Sequence, residues 1–198
     1  MAPTDVSAVT ADRELICRLK CGDLPALGNL YDHHRQMVFC TALAITGDHD
    51  AAADLLQDVF LRLYRFVDRV DPELPLEPWL YRMTANLSYT WVKRQSRWLQ
   101  PLEDLTEWFS GNRKYSPQQL AESQDDTSQL QQAMLRLPLP QRVVVVLFYI
   151  NDLSVLEISE ILDVPVGTVK SRLHYGRQAL KDALKRRGQG LLVQYEFT

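Results

Sequence analysis

Thr168, Lys170, Ser171, Arg172, His174, Tyr175 and Arg177 crowd cations and hydrogen-bonding groups into one short stretch. Interleaved with them are Val166, Val169, Leu173, Gly176, Leu180 and Leu184, spaced three and four residues apart. On a helix the second set makes an apolar stripe, and the first makes the face left to solvent or to a ligand. Cations of this kind neutralise phosphates, while short polar side chains reach base edges. From residue 163 to 187 there are seven Lys or Arg against two Asp, in a chain of net charge −3, so positive charge is concentrated here. Such a face suits nucleic acid.

The element carrying this face must be held by another, and the preceding residues supply one. Ser154 followed by Glu157 is a capping box, in which the hydroxyl takes a free first-turn amide and the carboxylate reaches back to the cap. Val155, Ile158, Ile161 and Leu162 then share a helical face. Asp163-Val164-Pro165-Val166-Gly167 breaks that helix, and Pro165, with its fixed φ, suits the first turn of the next. Two helices about a tight turn, the second polar near its N-terminal end, predict a helix-turn-helix. A solvated helix in an ordinary bundle is the alternative; the turn, the capping box and the clustered charge together favour DNA.

The segment PVGTVKSRLHYGRQAL, residues 165–180, resembles the C-terminal σ4 domain of extracytoplasmic-function sigma factors, the small bacterial transcription initiation factors. Leu137-Pro138, Gln141-Arg142, Leu153-Ser154, Glu157-Ile158 and Gly167-Thr168-Val169-Lys170-Ser171-Arg172 sit where that family's pattern has them, over about the last third of the chain. The resemblance implies recognition of a −35 promoter element by Thr168, Lys170, Ser171, Arg172, His174, Tyr175 and Arg177, with Ser171 and His174 where the family reads base edges. Phe148 stands where the family often has an Arg that touches DNA, and Phe cannot supply that charge.

A second basic segment, residues 78–98, has four Lys or Arg and no acid, interleaved with Trp79, Tyr81, Tyr89, Trp91 and Trp98. Cations and aromatic faces are what a single-stranded nucleic acid site requires. The same spacing also reads as a buried stripe of Trp79, Leu80, Met83, Leu87, Trp91 and Trp98, and most of the aromatics are expected to be core. Before it, residues 71–78 carry three prolines and read as a loop. Trp79-Leu80-Tyr81-Arg82, Asn86-Leu87 and Lys93-Arg94 resemble the sigma region that recognises the −10 element. That implies capture of a flipped base of the non-template strand by the loop at residues 70–76, with Asn86, Lys93, Arg94 and Arg97 in support. Flipping costs a few kcal/mol of unstacking, which a shaped pocket must return. Thr90 and Ala85 depart from the family's usual Asp and frequent Arg.

Residues 48–67 predict a helix capped by Asp48 or Asp50, with Leu55, Val59, Phe60, Leu63 and Phe66 in a wide apolar stripe. Asp54, Gln57, Asp58 and Arg62 fall opposite, where a charged face is ordinarily solvent. Asp54-Leu55-Leu56-Gln57-Asp58-Val59-Phe60 resembles the sigma segment that docks on the clamp helices of the polymerase β′ subunit. Carried over residue by residue, the polymerase-binding candidates are Asp54, Gln57 and Asp58.

Helical spacing also covers residues 12–20 and 24–45, the latter ended by Thr46-Gly47-Asp48. Val143-Val144-Val145-Val146 alone suggests a strand, but no other convincing strand exists to pair with it, so helix is expected. Residues 99–127 hold two cations against six acids and read as a flexible linker; TEWF at residues 106–109 is a possible anchor within it. The whole predicts an all-α protein of two small helical domains: a σ2-like domain at 1–98, the linker at 99–127, a σ4-like helix-turn-helix domain at 128–187 and a tail at 188–198. With 198 residues, 46% hydrophobic, helical cores are feasible, and no apolar run nears the ~20 residues of a membrane span. No secretion signal is evident at residues 1–14, and a cytoplasmic location is expected.

Cys17, Cys21 and Cys40 are odd in number and argue against a disulfide framework. A zinc site from Cys17, Cys21 and His33 or His34 is an alternative to buried, structural cysteine, the commoner use of that residue. Catalytic residues, metals and cofactors are all expected to be none, since no phosphate loop, nucleophile motif or HExxH spacing occurs. The expected function is that of a promoter-specificity factor and not of an enzyme. Its expected partners are core RNA polymerase through β′ and β, promoter DNA, and an antagonist, an anti-sigma factor inserted between domains that change relative position. The competing readings are a helix-turn-helix regulator that works without polymerase, and a Cys/His metal protein or enzyme.

Overall fold

Local stop and start signals cut the chain into helices. The computed structural model describes residues 6–98 and 126–185, and among them are eight α-helices, one 3₁₀ turn and no strand. Helix α1 is Val6–Lys20, α2 Leu24–Thr46, α3 His49–Phe66 and α4 Glu77–Trp98; α5 is Asp126–Arg136, α6 Leu139–Tyr149, α7 Val155–Leu162 and α8 Val166–Lys185. Gly47 ends α2 at φ 72°, in the left-handed region that glycine enters without strain. Asp48 caps α3, accepting from the Ala51 amide at 2.9 Å. The four valines lie within α6, so their β-branching yields to burial: Val143, Val144, Val145 and Val146 are all in the core. Pro165 precedes α8 rather than entering its first turn, and its carbonyl accepts from the Thr168 and Val169 amides. The linker expected at 99–127 overlaps α5 at Asp126 and Thr127, which open that helix; the rest of it, with TEWF, and the tail at 188–198 lie outside the described residues.

Two cores form. Ile16, Leu30, Val38, Val59, Leu63, Leu76 and Leu80 anchor the first, from α1 to α4. The second gathers Val144, Val146, Leu147, Ile158, Val169 and Leu173 from α6 to α8, but also Ile45 of α2 and Ala85 of α4. The halves therefore share apolar surface. Gly176 makes close packing of α8 on α6 possible, since a Cβ there would lie 2.7 Å from Val145 Cγ2. Phe66, expected in the apolar stripe of α3, is instead 39% exposed, with the Arg69 guanidinium over its ring. The stripe runs out at the last turn, where the chain tightens into the 3₁₀ turn Val67–Arg69.

Arg142 fastens the seam between the halves. Only 3% exposed, its guanidinium donates to the carbonyls of Ile45 at 2.8 Å, of Leu137 at 3.2 Å and of Leu135. Ile45 and Leu135 lie in the last turns of α2 and α5, whose carbonyls lack helical donors and carry the negative end of the dipole. Nearby, Asn151 Nδ2 donates to Thr41 Oγ1 at 2.8 Å. Arg142→Leu should lower unfolding free energy by roughly 2–4 kcal/mol, because several buried carbonyls lose a charged donor at once. Urea denaturation of the two proteins measures it, and a loss under about 1 kcal/mol would show the carbonyls to be otherwise satisfied.

Candidate functional site

The helix-turn-helix forms as its local signals require. The Ser154 amide donates to Glu157 Oε2 at 2.7 Å and the Glu157 amide to Ser154 Oγ at 3.3 Å, closing the capping box. Asp163 ends α7 in the left-handed region at φ 53°, and Ser159 Oγ donates to the Val164 carbonyl at 2.6 Å, fixing the turn. Val169, Leu173 and Gly176 bury one side of α8. On the other side Lys170, Ser171, His174 and Tyr175 are exposed, Tyr175 by 61% and edge-on to the His174 ring; Thr168 and Arg172 are half-buried.

Arg177 does not join that open face. Its guanidinium lies over the rings of Phe148 and Tyr149, 5.3 and 5.5 Å from their centroids, at the end of α6. Phe148 thus has a place beside a cation although it carries none: it is a platform for Arg177.

Helix α4 presents Asn86, Lys93 and Arg94 to solvent, with the Lys93 ammonium 4.7 Å over the Tyr89 ring. Arg97 lies in the last turn of α4, and its side chain is outside the described residues. Thr90 Oγ1 donates to the Asn86 carbonyl at 2.8 Å, so it serves its own helix. Ala85, 2% exposed, is part of the second core, where an Arg could not fit. Of the aromatics, Trp79, Tyr81, Tyr89 and Trp91 are half-buried. Burial pushes the Tyr81 phenol up, with Glu77 and Glu157 adding to it and the hydrogen bond with Asn151 opposing. In the preceding loop, Leu76 is buried and Leu74 is 62% exposed.

The two basic surfaces meet. Asn86 and Tyr89 of α4 and Arg172 of α8 line one cleft of about 190 Å³, floored by Ala85, Val143 and Leu162. Sequence spacing gave no sign of this, because residues on the two sides are more than seventy positions apart.

On α3, Asp54, Gln57 and Asp58 are exposed together. Leu61, 52% exposed and one helical step beyond Gln57 and Asp58, extends their face with apolar surface that the sequence reading missed. The signal was present: Leu61 is off the buried stripe of the same helix.

The cysteines are corrected. Cys17, Cys21 and Cys40 are free and exposed, not buried, and among the described residues Cys17 and Cys21 do not gather with the histidines. The group that does converge among the described residues is Asp12, His34 and Glu77. His34 Nε2 lies 2.6 Å from Asp12 Oδ2, and His33 Nδ1 lies 3.4 Å from Asp12 Oδ1. Burial raises the Asp12 carboxyl, but the hydrogen bond and charge of His34, then those of His33, outweigh it and leave the group below its ordinary value.

Two family models match the chain: Sigma-70 region 2 over residues 30–97, and Sigma-70, region 4 over residues 127–180. The chain is 33% identical over 183 residues to the ECF RNA polymerase sigma factor SigW of Bacillus subtilis, covering 87% of this chain and 96% of that one. Its fold is similar to that of CnrH, solved in complex with the cytosolic domain of CnrY, at a TM-score of 0.65, 22% identity and coverage of 89% and 98%. It is similar also to the sigma factor RpoE of Bartonella quintana, solved with the anti-sigma factor NepR, at a TM-score of 0.59, 24% identity and coverage of 76% and 91%.

Glu157 gives the helix-turn-helix a pH dependence. Its hydrogen bonds with Ser154 hold the carboxyl below its ordinary value of 4.5. A lowered folded value stabilises the fold above the unfolded value, and that contribution disappears as pH falls through the folded one. Ser154→Ala should cost about 1 kcal/mol near neutral pH. Stability measured from neutral pH downward should show the difference between the two proteins shrinking below pH 4.5; a constant difference would mean that the carboxylate takes no part.

Proposed function

The chain belongs to the extracytoplasmic-function RNA polymerase sigma factors; it is a promoter-specificity factor for RNA polymerase, and we propose how its surfaces divide that work. Residues 1–98 form the σ2-like domain and 128–187 the σ4-like domain, with 99–127 between them and 188–198 as tail. The first docks on the β′ clamp helices through Asp54, Gln57 and Asp58, with Leu61 supplying apolar contact. Asn86, Lys93, Arg94 and Arg97, with the loop at residues 70–76, meet the opened −10 element. Lys170, Ser171, Arg172, His174 and Tyr175, with Thr168, meet the −35 element, and Arg177 comes off Phe148 or holds phosphate from its edge. The protein works in the cytoplasm beside polymerase and DNA, and performs no catalysis of its own. The observation that carries the DNA reading is the exposed row Lys170, Ser171, His174 and Tyr175 on a helix whose opposite side is core.

The arrangement described does not bridge a promoter. Elements centred at −10 and −35 stand roughly 25 base pairs apart, about 85 Å of duplex at 3.4 Å per base pair. Asn86 and Arg172 line one cleft. The halves therefore part along the Arg142 seam when both elements are bound, and polymerase holds them at promoter spacing, raising the effective concentration of each for DNA. An antagonist wedged between the halves meets a seam already filled by Ile45 and Ala85. The reading that fits is an anti-sigma factor that braces the closed form from outside, and the anti-sigma factor NepR in the RpoE structure supports that class of regulator.

Docking and promoter reading should separate by mutation. Asp54→Ala with Gln57→Ala should weaken binding to core polymerase without changing helical content. Lys170→Ala should weaken promoter binding and flatten its salt dependence through one fewer released counterion, whereas Ser171→Ala or His174→Ala should shift −35 preference by roughly 1–3 kcal/mol. Binding assays with core enzyme, and transcription over a promoter pool at two salt concentrations, read these effects. Wild-type polymerase affinity in the double variant would remove the docking assignment, and unchanged affinity and preference in all three α8 variants would remove the recognition surface.

A further inference from the structure

We propose that Asp12, His34 and Glu77 form a binding site for a divalent first-row transition metal, of which Zn²⁺ is the working example. One ligand comes from each of α1, α2 and the first turn of α4, and their donor atoms all lie within 4.8 Å of one another. Asp12 is 4% exposed and His34 9%. Glu77 is half-buried. Two carboxylates that close, one of them desolvated, repel unless positive charge lies between them. Among the described residues no Lys or Arg pairs with either; the ion pairs of Asp12 are with His33 and His34 alone.

A metal meets the requirement directly. Imidazole with two carboxylates is a donor set that zinc and its neighbours accept, and three protein ligands leave a fourth position for water. Zinc would take the place of the Asp12–His34 hydrogen bond, with the donors at bond lengths of about 2.0–2.2 Å. Asp12 Oδ1 is also steadied by His33, as ligating carboxylates usually are by a neighbour. The site stands independently of the promoter assignment, but it has a mechanical consequence. Glu77 opens α4 directly after the loop at residues 70–76, and Arg13, beside Asp12, pairs with Glu73 of that loop at 2.8 Å. The metal would add a second tie between α1 and the loop's far end.

The full-length, untagged chain carrying Cys17→Ser, Cys21→Ser and Cys40→Ser removes the exposed thiols that would otherwise hold zinc. Titrated with Zn²⁺ by calorimetry at about pH 7.5, it should bind one saturable equivalent and melt at a higher temperature when loaded. Asp12→Asn should abolish binding, with circular dichroism confirming that helix content is kept. Glu77→Gln leaves the Asp12–His34 contact in place, so it decides the matter if Asp12→Asn unfolds; it should weaken Zn²⁺ binding by about tenfold or more. No saturable binding in the cysteine-free chain, or equal affinity in Glu77→Gln, would overturn the site and leave the Asp12–His34 contact as a structural tie between α1 and α2.

Discussion

A buried guanidinium sets the relation between the two halves of this protein. Arg142 ends among carbonyls at the C-termini of helices α2 and α5, so one cation satisfies three acceptors from two separate segments. Lysine could not do this, because a point charge lacks the planar fork that faces several carbonyls at once. With the end of α2 held there, Ile45 drops into the core of the C-terminal half and Ala85 follows from α4. The small size of Ala85 then becomes a packing requirement.

The same seam decides which surfaces are open. Asp54, Gln57, Asp58 and Leu61 are exposed on α3 in this arrangement, as is the outer row of α8. Asn86 of α4 and Arg172 of α8 instead share a cleft. Under the proposed function, polymerase can engage the docking face before the halves part, while simultaneous contact with both promoter elements has to follow separation. Specificity would then reside in the ternary complex rather than in either helical half alone.

What was legible in the sequence was what neighbouring residues decide between themselves. The capping box of Ser154 and Glu157, the Asp48 cap, the Gly47 stop and the small Gly176 against α6 are all in place, and the valine run is helical because no partner strand exists for it among the described residues. What escaped depends on residues far apart in the chain. The Arg142 acceptor at Ile45 is 97 positions away, and nothing in the spacing of either residue encodes the other. Asp12, His34 and Glu77 come together only because three helices converge. Arg177 was expected on the open face by periodicity, but the aromatic pair at the end of α6 offered its guanidinium a better surface. Cys17 and Cys21 were misjudged for a related reason: composition favours burial, while the stripe of α1 was already filled by Leu15, Ile16 and Leu19.

The central claim is that the Arg142 seam closes the free protein and opens on the promoter. It is tested by the distance between spin labels on Gln36→Cys in α2 and Gln178→Cys in α8, in a chain lacking its three natural cysteines. The free protein should give one distance distribution, and the complex with core polymerase and a cognate promoter one longer by tens of ångströms, as elements about 85 Å apart require. The same distribution in both states would contradict the account.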